Sequence, residues 1–190
     1  MAGHEQVFYV TLPSERVSAL LGPNGSVKRE IEERLGVRLE IDGASGHVEI
    51  RLMRAPDQGG DPVALFKAKD IVNAIGSGFR PELAMKLISD NTSLTVLDVS
   101  EFIGKDFRDL RRVMGRIIGS QGKTKRIIEE TTHVDVAIQG DRVAILGHPE
   151  DVEAARRAVM MLVQGSPHNV VYRYLDQYAQ RRKFSRRGLF

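Results

Sequence analysis

Two four-residue stretches of this chain carry glycines at a spacing that lets the backbone itself do chemistry: Gly119-Ser120-Gln121-Gly122 and Gly22-Pro23-Asn24-Gly25. Without Cβ atoms, the glycines of such a stretch can take positive φ and let another chain approach the backbone closely. Where a helix begins directly after the turn, its free N–H groups and positive dipole end favour phosphate oxygens. The chemistry on offer is capture of a phosphodiester chain, not the making or breaking of bonds. Basic side chains surround each turn. Lys123, Lys125 and Arg126 follow the second, with Arg116 and Ile118 just before it, and Lys28 and Arg29 follow the first.

Bond-making alternatives fail on spacing. Gly122-Lys123-Thr124 has the ending of a nucleotide-binding P-loop, but that motif also needs a glycine at the position held by Ile117. The residues before it have a helical pattern where a P-loop needs a strand. The histidines His4, His47, His133, His148 and His168 are scattered without ligand spacing. Glu32-Glu33 and Glu129-Glu130 stand beside Lys and Arg on helical stretches, where ion pairing is the ordinary explanation. No catalytic residue, metal or cofactor is expected.

The two glycine turns belong to an internal repeat, their first glycines standing at positions 22 and 119, 97 residues apart. At that offset the Lys-Arg, Ile and Glu-Glu positions after the turns coincide, and so do Val37 with Val134, Ile41 with Ile138 and Gly43 with Gly140. After a small length change, Val48 and Ile50 pair with Val143 and Ile145, and Pro62, Ala68 and Val72 pair with Pro149, Ala155 and Val159. A repeat of this length means one structural unit used twice.

The elements that must hold the turns are legible in each copy. In the second, β-branched residues from 94 to 99 predict a strand. Phe107, Leu110, Val113, Met114 and Ile117 then predict a helix from about 105 to 118. After the turn a helix is expected from 123 to about 131. Strands follow over 134–138 and 142–146 around the turn Gln139-Gly140-Asp141, and a last helix from Pro149 stops at Gly165. The first copy reads as strand 7–10, helices 14–21 and 26–35, strands 37–41 and 47–52, and helix 62–75. An additional helix is expected over 80–89, and Val170, Tyr174, Leu175 and Tyr178 predict a docked C-terminal helix ending in a mobile, Arg-rich tail.

Helix, Gly-x-x-Gly turn and immediate second helix form the signature of the KH domain, and the order β-α-α-β-β-α resembles its eukaryotic-type arrangement. The expected fold is α/β (α+β): two tandem KH domains, 1–90 including the linking helix and 91–190 with the basic C-terminal helix. In each, a three-stranded sheet is covered by helices on one face. A KH turn clamps about four backbone nucleotides of a single strand. Its bases would lie over aliphatic residues, with Val113, Ile117 and Ile118 on one side and Val134, Val136 or Ile138 on the other. Most of these must also serve the core. With no Trp and 6% aromatic residues, stacking platforms are not expected.

Charge separates the two turns. From 108 to 126 there are seven basic residues against the single acid Asp109, whereas Lys28, Arg29 and Arg34 are offset by Glu30, Glu32 and Glu33. The second domain is therefore the expected RNA reader, and Gly22, Pro23, Asn24, Gly25, Lys28 and Arg29 are expected to make secondary RNA or protein contacts. Net charge is only +3, so distribution carries this argument. The C-terminal run Arg181-Arg182-Lys183-Phe184-Ser185-Arg186-Arg187 has no acid and is expected to add sequence-independent affinity.

The bulk composition agrees with a folded chain. Hydrophobic residues make up 42% and charged residues 28% of 190, enough apolar material for packed cores. There is no cysteine, which excludes disulfides and thiolate sites. No signal-like N-terminus and no apolar run of membrane-spanning length is visible, so a cytoplasmic monomer with no membrane partner is expected.

The run from Met114 to Lys125, with Ile128-Glu129-Glu130-Thr131-Thr132, Ile145-Leu146-Gly147 and Val163-Gln164-Gly165-Ser166-Pro167, is similar to the second KH domain and the ending of the partner-of-Nob family. The chain lacks the long N-terminal extension of eukaryotic members, so an archaeal homologue is the best match. The resemblance implies binding to the 3′-terminal region of small-subunit ribosomal RNA during ribosome assembly and rRNA maturation. It also implies partnership with the Nob endonuclease and, in archaea, with the alpha subunit of translation initiation factor two. On this resemblance the family's loop falls on Gly119, Ser120, Gln121 and Gly122, and its basic flank on Lys123 and Lys125. The alternative is a KH scaffold that binds protein without reading RNA.

Overall fold

Alternation in the short apolar segments and helical spacing in the longer ones set the elements. In a computed structural model, which describes residues 6–104 and 106–186, the chain forms two compact units, Met1–Asp90 and Asn91–Phe190. The first contains strands β1 (Val7–Thr11), β2 (Val37–Ile41) and β3 (His47–Leu52), with helices α1 (Ser14–Leu21), α2 (Ser26–Leu35), α3 (Pro62–Gly76) and α4 (Pro81–Ala84). Its sheet is antiparallel in the order β1-β3-β2, with Leu39 opposite Ile50. Val37, Leu39, Val48 and Ile50 are buried beneath the helices while Arg38 and Glu40 stay exposed, which is the period-2 pattern of a sheet covered on one face.

The second unit repeats this plan with β4 (Ser93–Asp98), α5 (Ser100–Ile103), α6 (Phe107–Ile118), α7 (Lys123–Thr132), β5 (Asp135–Gln139), β6 (Arg142–Gly147), α8 (Pro149–Val163) and α9 (His168–Arg186). Its sheet has the order β4-β6-β5, with Val136 opposite Ile145. One core gathers Val113 and Ile117 of α6, Ile128 of α7, the strand residues and the apolar face of α8.

Local chemistry explains the boundaries. Asp61 caps α3 by accepting from the Val63 N–H, and Pro62 occupies the first helical position. Asp106 caps α6 by accepting from the N–H groups of Arg108 and Asp109. The helix expected from 105 therefore starts at Phe107, preceded by the separate short turn α5, and Lys105 lies outside the described residues. The linking segment also departs from the single helix expected over 80–89: α4 gives way to a 3-10 turn over Met85–Ile88.

The C-terminal helix differs from expectation in face and in extent. Val171 and Leu175 are buried, whereas Val170 is exposed, so the inward stripe is Val171, Leu175 and Tyr178. Burying two such aliphatic side chains contributes about 3–5 kcal/mol against α7 and α8. The helix also continues to Arg186, within the basic run where a tail was expected. Arg182 forms an ion pair with Asp151 in the first turn of α8, which holds the last turns to the unit. Arg187 lies outside the described residues.

Candidate nucleic-acid interface

Both glycine turns fold into the same backbone cradle. Gly119 has φ 76 and ψ 170, Gln121 has φ 52 and ψ 31, and Gly122 has φ 75 and ψ 14. Gly22, Asn24 and Gly25 take nearly the same angles. Two distinct needs explain the glycines. A Cβ on Gly119 would stand 2.3 Å from Thr124 Oγ1 and 2.6 Å from the Thr124 nitrogen, so this position must stay bare for the turn to seat on α7. At Gly122 nothing crowds an added Cβ, and the left-handed φ is what favours glycine. Ser120 and Gln121 project into solvent, which leaves the cradle open.

Beside the second cradle lies a cavity of about 770 Å³ lined by Phe107, Leu110, Arg111, Met114, Gly115, Ile118, Gly140 and Asp141. Phe107, Leu110, Met114 and Ile118 recur at helical spacing, so one stripe of α6 forms its apolar floor. The β5–β6 turn forms the opposite rim. Ile118 is 36% exposed there, as suits a residue that contacts a ligand. Val113, Ile117, Val134 and Val136 are buried in the core, so of the residues expected on the groove walls Ile118 is the one that lines this cavity.

Apart from Ile118, the lining residues were not anticipated as contacts. Phe107, 73% exposed, sets an aromatic ring at the groove despite the low aromatic content. Leu110 and Met114, which mark the helical spacing in the sequence, line the groove as well. Asp141 and Arg111 add one acceptor and one donor fork of the kind that reads base edges. Gly115 sits exposed in the helix interior with nothing within 4 Å of an added Cβ.

The basic flank divides into positioned and outward charges. Lys123 and Arg126 are exposed, the latter reaching back to within 3.5 Å of the Gln121 carbonyl. Lys125 pairs with Glu129 at 3.0 Å. The Arg116 guanidinium donates to the Ser166 carbonyl ahead of α9, so it anchors the C-terminal segment behind the cradle. In the first unit, Lys28 stands 3.5 Å from Glu32 and Arg29 is exposed. That unit has a cavity of about 350 Å³ lined by strand and turn residues that include Glu40, Asp42 and Glu49, and by none of the 22–25 turn.

A device missed in the sequence ties the helix after each cradle to the sheet. Glu129 Oε1 accepts from the Val136 N–H at 2.9 Å, and at the equivalent place Glu32 Oε1 accepts from the Leu39 N–H at 2.8 Å. Each helix after a cradle is thereby bonded to its edge strand. The repeated Glu-Glu signal was visible, but it reads equally as a solvated ion pair until the strand is placed beside it.

Comparisons with known proteins agree with this fold. Residues 93–180 match the family described as eukaryotic type KH-domain (KH-domain type I), and residues 7–74 match the KH domain. The KH domain-containing protein of Methanocaldococcus jannaschii is 45% identical over 175 residues, covering 92% of this chain and 75% of that protein. The pre-rRNA-processing protein pno1 of Aspergillus fumigatus is 31% identical over 178 residues, covering 92% of this chain and 69% of that protein. A crystal structure of an a/eIF2alpha-aDim2p-rRNA complex from Pyrococcus horikoshii matches with a TM-score of 0.83 and 40% identity, over 94% of this chain and 97% of that one. Two open cradles in two KH units, matched along nearly the whole length, show that the chain belongs to the two-KH-domain family of the archaeal KH domain-containing protein and eukaryotic pno1.

Proposed function

We propose that this protein binds single-stranded RNA of the small ribosomal subunit, in its 3′-terminal region, and acts without catalysis in subunit assembly and rRNA maturation. The observation that carries the reading is the open 119–122 cradle beside an apolar groove, with Lys123 and Arg126 exposed along the strand's path. Phosphate oxygens meet the cradle N–H groups and the start of α7, and bases lie over Phe107, Met114 and Ile118. The Pyrococcus relative's complex with rRNA and a/eIF2alpha supports both an RNA and an initiation-factor partner, the latter through its alpha subunit. The Nob endonuclease is a further partner on this reading, and the protein acts as a cytoplasmic monomer. The first unit, with its acid-offset cradle, makes the weaker RNA contacts or binds protein.

Crosslinking in cell extract followed by sequencing of the bound RNA tests the assignment, with enrichment of the 3′ end of small-subunit rRNA expected. For roughly four neutralised phosphates, log K should fall with log salt at a slope of about −3. A flat salt response would favour the protein scaffold.

Gly115 supplies a separate check. Glycine inside a helix costs about 0.5–1 kcal/mol relative to alanine, and no neighbour within the protein needs the space. Gly115→Ala should therefore raise the urea midpoint while weakening RNA binding, because the bare backbone makes room for the ligand. A stabilised variant with unchanged affinity would remove Gly115 from the contact surface.

A further inference from the structure

Behind the 119–122 turn, on the side of α9, a second cavity of about 380 Å³ opens between α6, α7 and the first turn of α9. Its walls carry Arg112, Arg116, Lys123 and His168 together with the hydroxyls of Ser120, Thr124 and Tyr172, and no carboxylate lines it. We propose that this cavity is an anion subsite that takes a backbone phosphate of the RNA strand just outside the stretch held in the apolar groove. The inference rests on the RNA reading above and extends that site.

The walls are held in place before any ligand arrives. Arg116 donates to the Ser166 carbonyl, His168 Nε2 donates to the Arg116 carbonyl at 3.0 Å, and the Thr124 and Tyr172 hydroxyls share a hydrogen bond of 2.9 Å. These bonds fix α9 against α6 and α7, leaving Arg112 and Lys123 as the adjustable charges. The partner of Arg112 is Asp109 at 3.3 Å, an exposed pair of the weakest kind. Lys123 makes no ion pair among the described residues, and it opens a helix whose first turn holds no acid. Lys123, Lys125 and Arg126 thus crowd the positive end of a helix dipole, an arrangement unfavourable in itself that a bound anion relieves.

Two comparisons separate this cavity from a by-product of the fold. The first unit has the same cradle, yet at the equivalent positions it carries Glu15, Ala19, Ser26 and Val27 in place of Arg112, Arg116, Lys123 and Thr124. Gly115 also lines both the groove and this cavity, so a strand leaving the groove crosses bare backbone to reach Arg112.

The test is fluorescence anisotropy with a tetranucleotide chosen from the crosslinked RNA and with the same sequence extended by three nucleotides at its 5′ or its 3′ side. Each is used with and without a terminal phosphate. Extension at one side is expected to tighten binding roughly tenfold, the value of one charge-assisted contact. Arg112→Gln, at an exposed position, should keep the tetranucleotide affinity within about twofold and lose that gain. In addition, the His168 and Tyr172 NMR signals should shift with the extended RNA and not with the tetranucleotide. Equal gains at both sides, a gain that survives Arg112→Gln, or a gain that needs the terminal phosphate would each overturn the subsite. Failure of every oligonucleotide to bind would instead sink the RNA reading itself.

Discussion

Gly122→Asp is expected to abolish binding of single-stranded RNA, whereas Gly25→Asp leaves most of it. At Gly122 the backbone holds φ 75, so an aspartate there both strains the turn and sets a carboxylate where phosphates approach. Losing two charge-assisted contacts costs about 3 kcal/mol, which is roughly a 100-fold fall in affinity. Gly25 holds φ 73 in an equivalent cradle, but Ser26 stands where Lys123 opens the second helix, and Glu30, Glu32 and Glu33 offset the cations that follow. The expected loss there is about threefold or less, in line with a minor share of the electrostatic attraction. Anisotropy with one oligonucleotide on both variants decides the matter. Equal losses would refute the division of labour between the two units.

The largest effect on stability is expected from Arg182→Ala. Asp151 is 2% exposed, and its carboxylate accepts from the Tyr178 hydroxyl at 2.6 Å and pairs with Arg182. Removing the arginine strands a buried charge, and losses of about 3 kcal/mol follow from such a break. Urea unfolding should show the drop, and hydrogen exchange should show α9 opening ahead of α8. The pH dependence has a definite sign. Burial, and then the hydrogen bond to Asp151, push the Tyr178 phenol well above its ordinary value. A group with a raised folded-state pKa contributes stability that is full below its unfolded value of about 10 and is lost as pH rises beyond it. The latch should therefore be level across neutral pH and weaken only in strong alkali, and Tyr178→Phe should remove that alkaline loss.

Much of the architecture was readable because local signals and the duplication agreed. Helices over Ser14–Leu21 and Ser26–Leu35 and strands over Val37–Ile41 and His47–Leu52 were each bounded by a glycine, a proline or a change of period. The misreadings share a cause. Val170 and Val171 sit side by side on a helix with apolar residues around much of its circumference, and only α7 and α8 decide which one turns inward. Similarly, the stripe Phe107, Leu110, Met114 and Ile118 lies next to the core stripe Val113 and Ile117, Met114 serves both core and cavity, and periodicity alone does not separate a cavity-lining row from a buried one. Arg116 was grouped with the other cations by its place in the sequence, while its actual partner, Ser166, lies 50 residues further on.

The carboxylates of Glu32 and Glu129 have an effect on association as well as on shape. β2 and β5 are outer strands, and a row of unbonded amides on such a strand invites a foreign segment to zip alongside. In each sheet one of those amides, at Leu39 or Val136, is already occupied near the strand's middle. An intruding strand would have to evict a charged acceptor before it gained its own ladder, so the chain resists templated polymerisation along both outer strands.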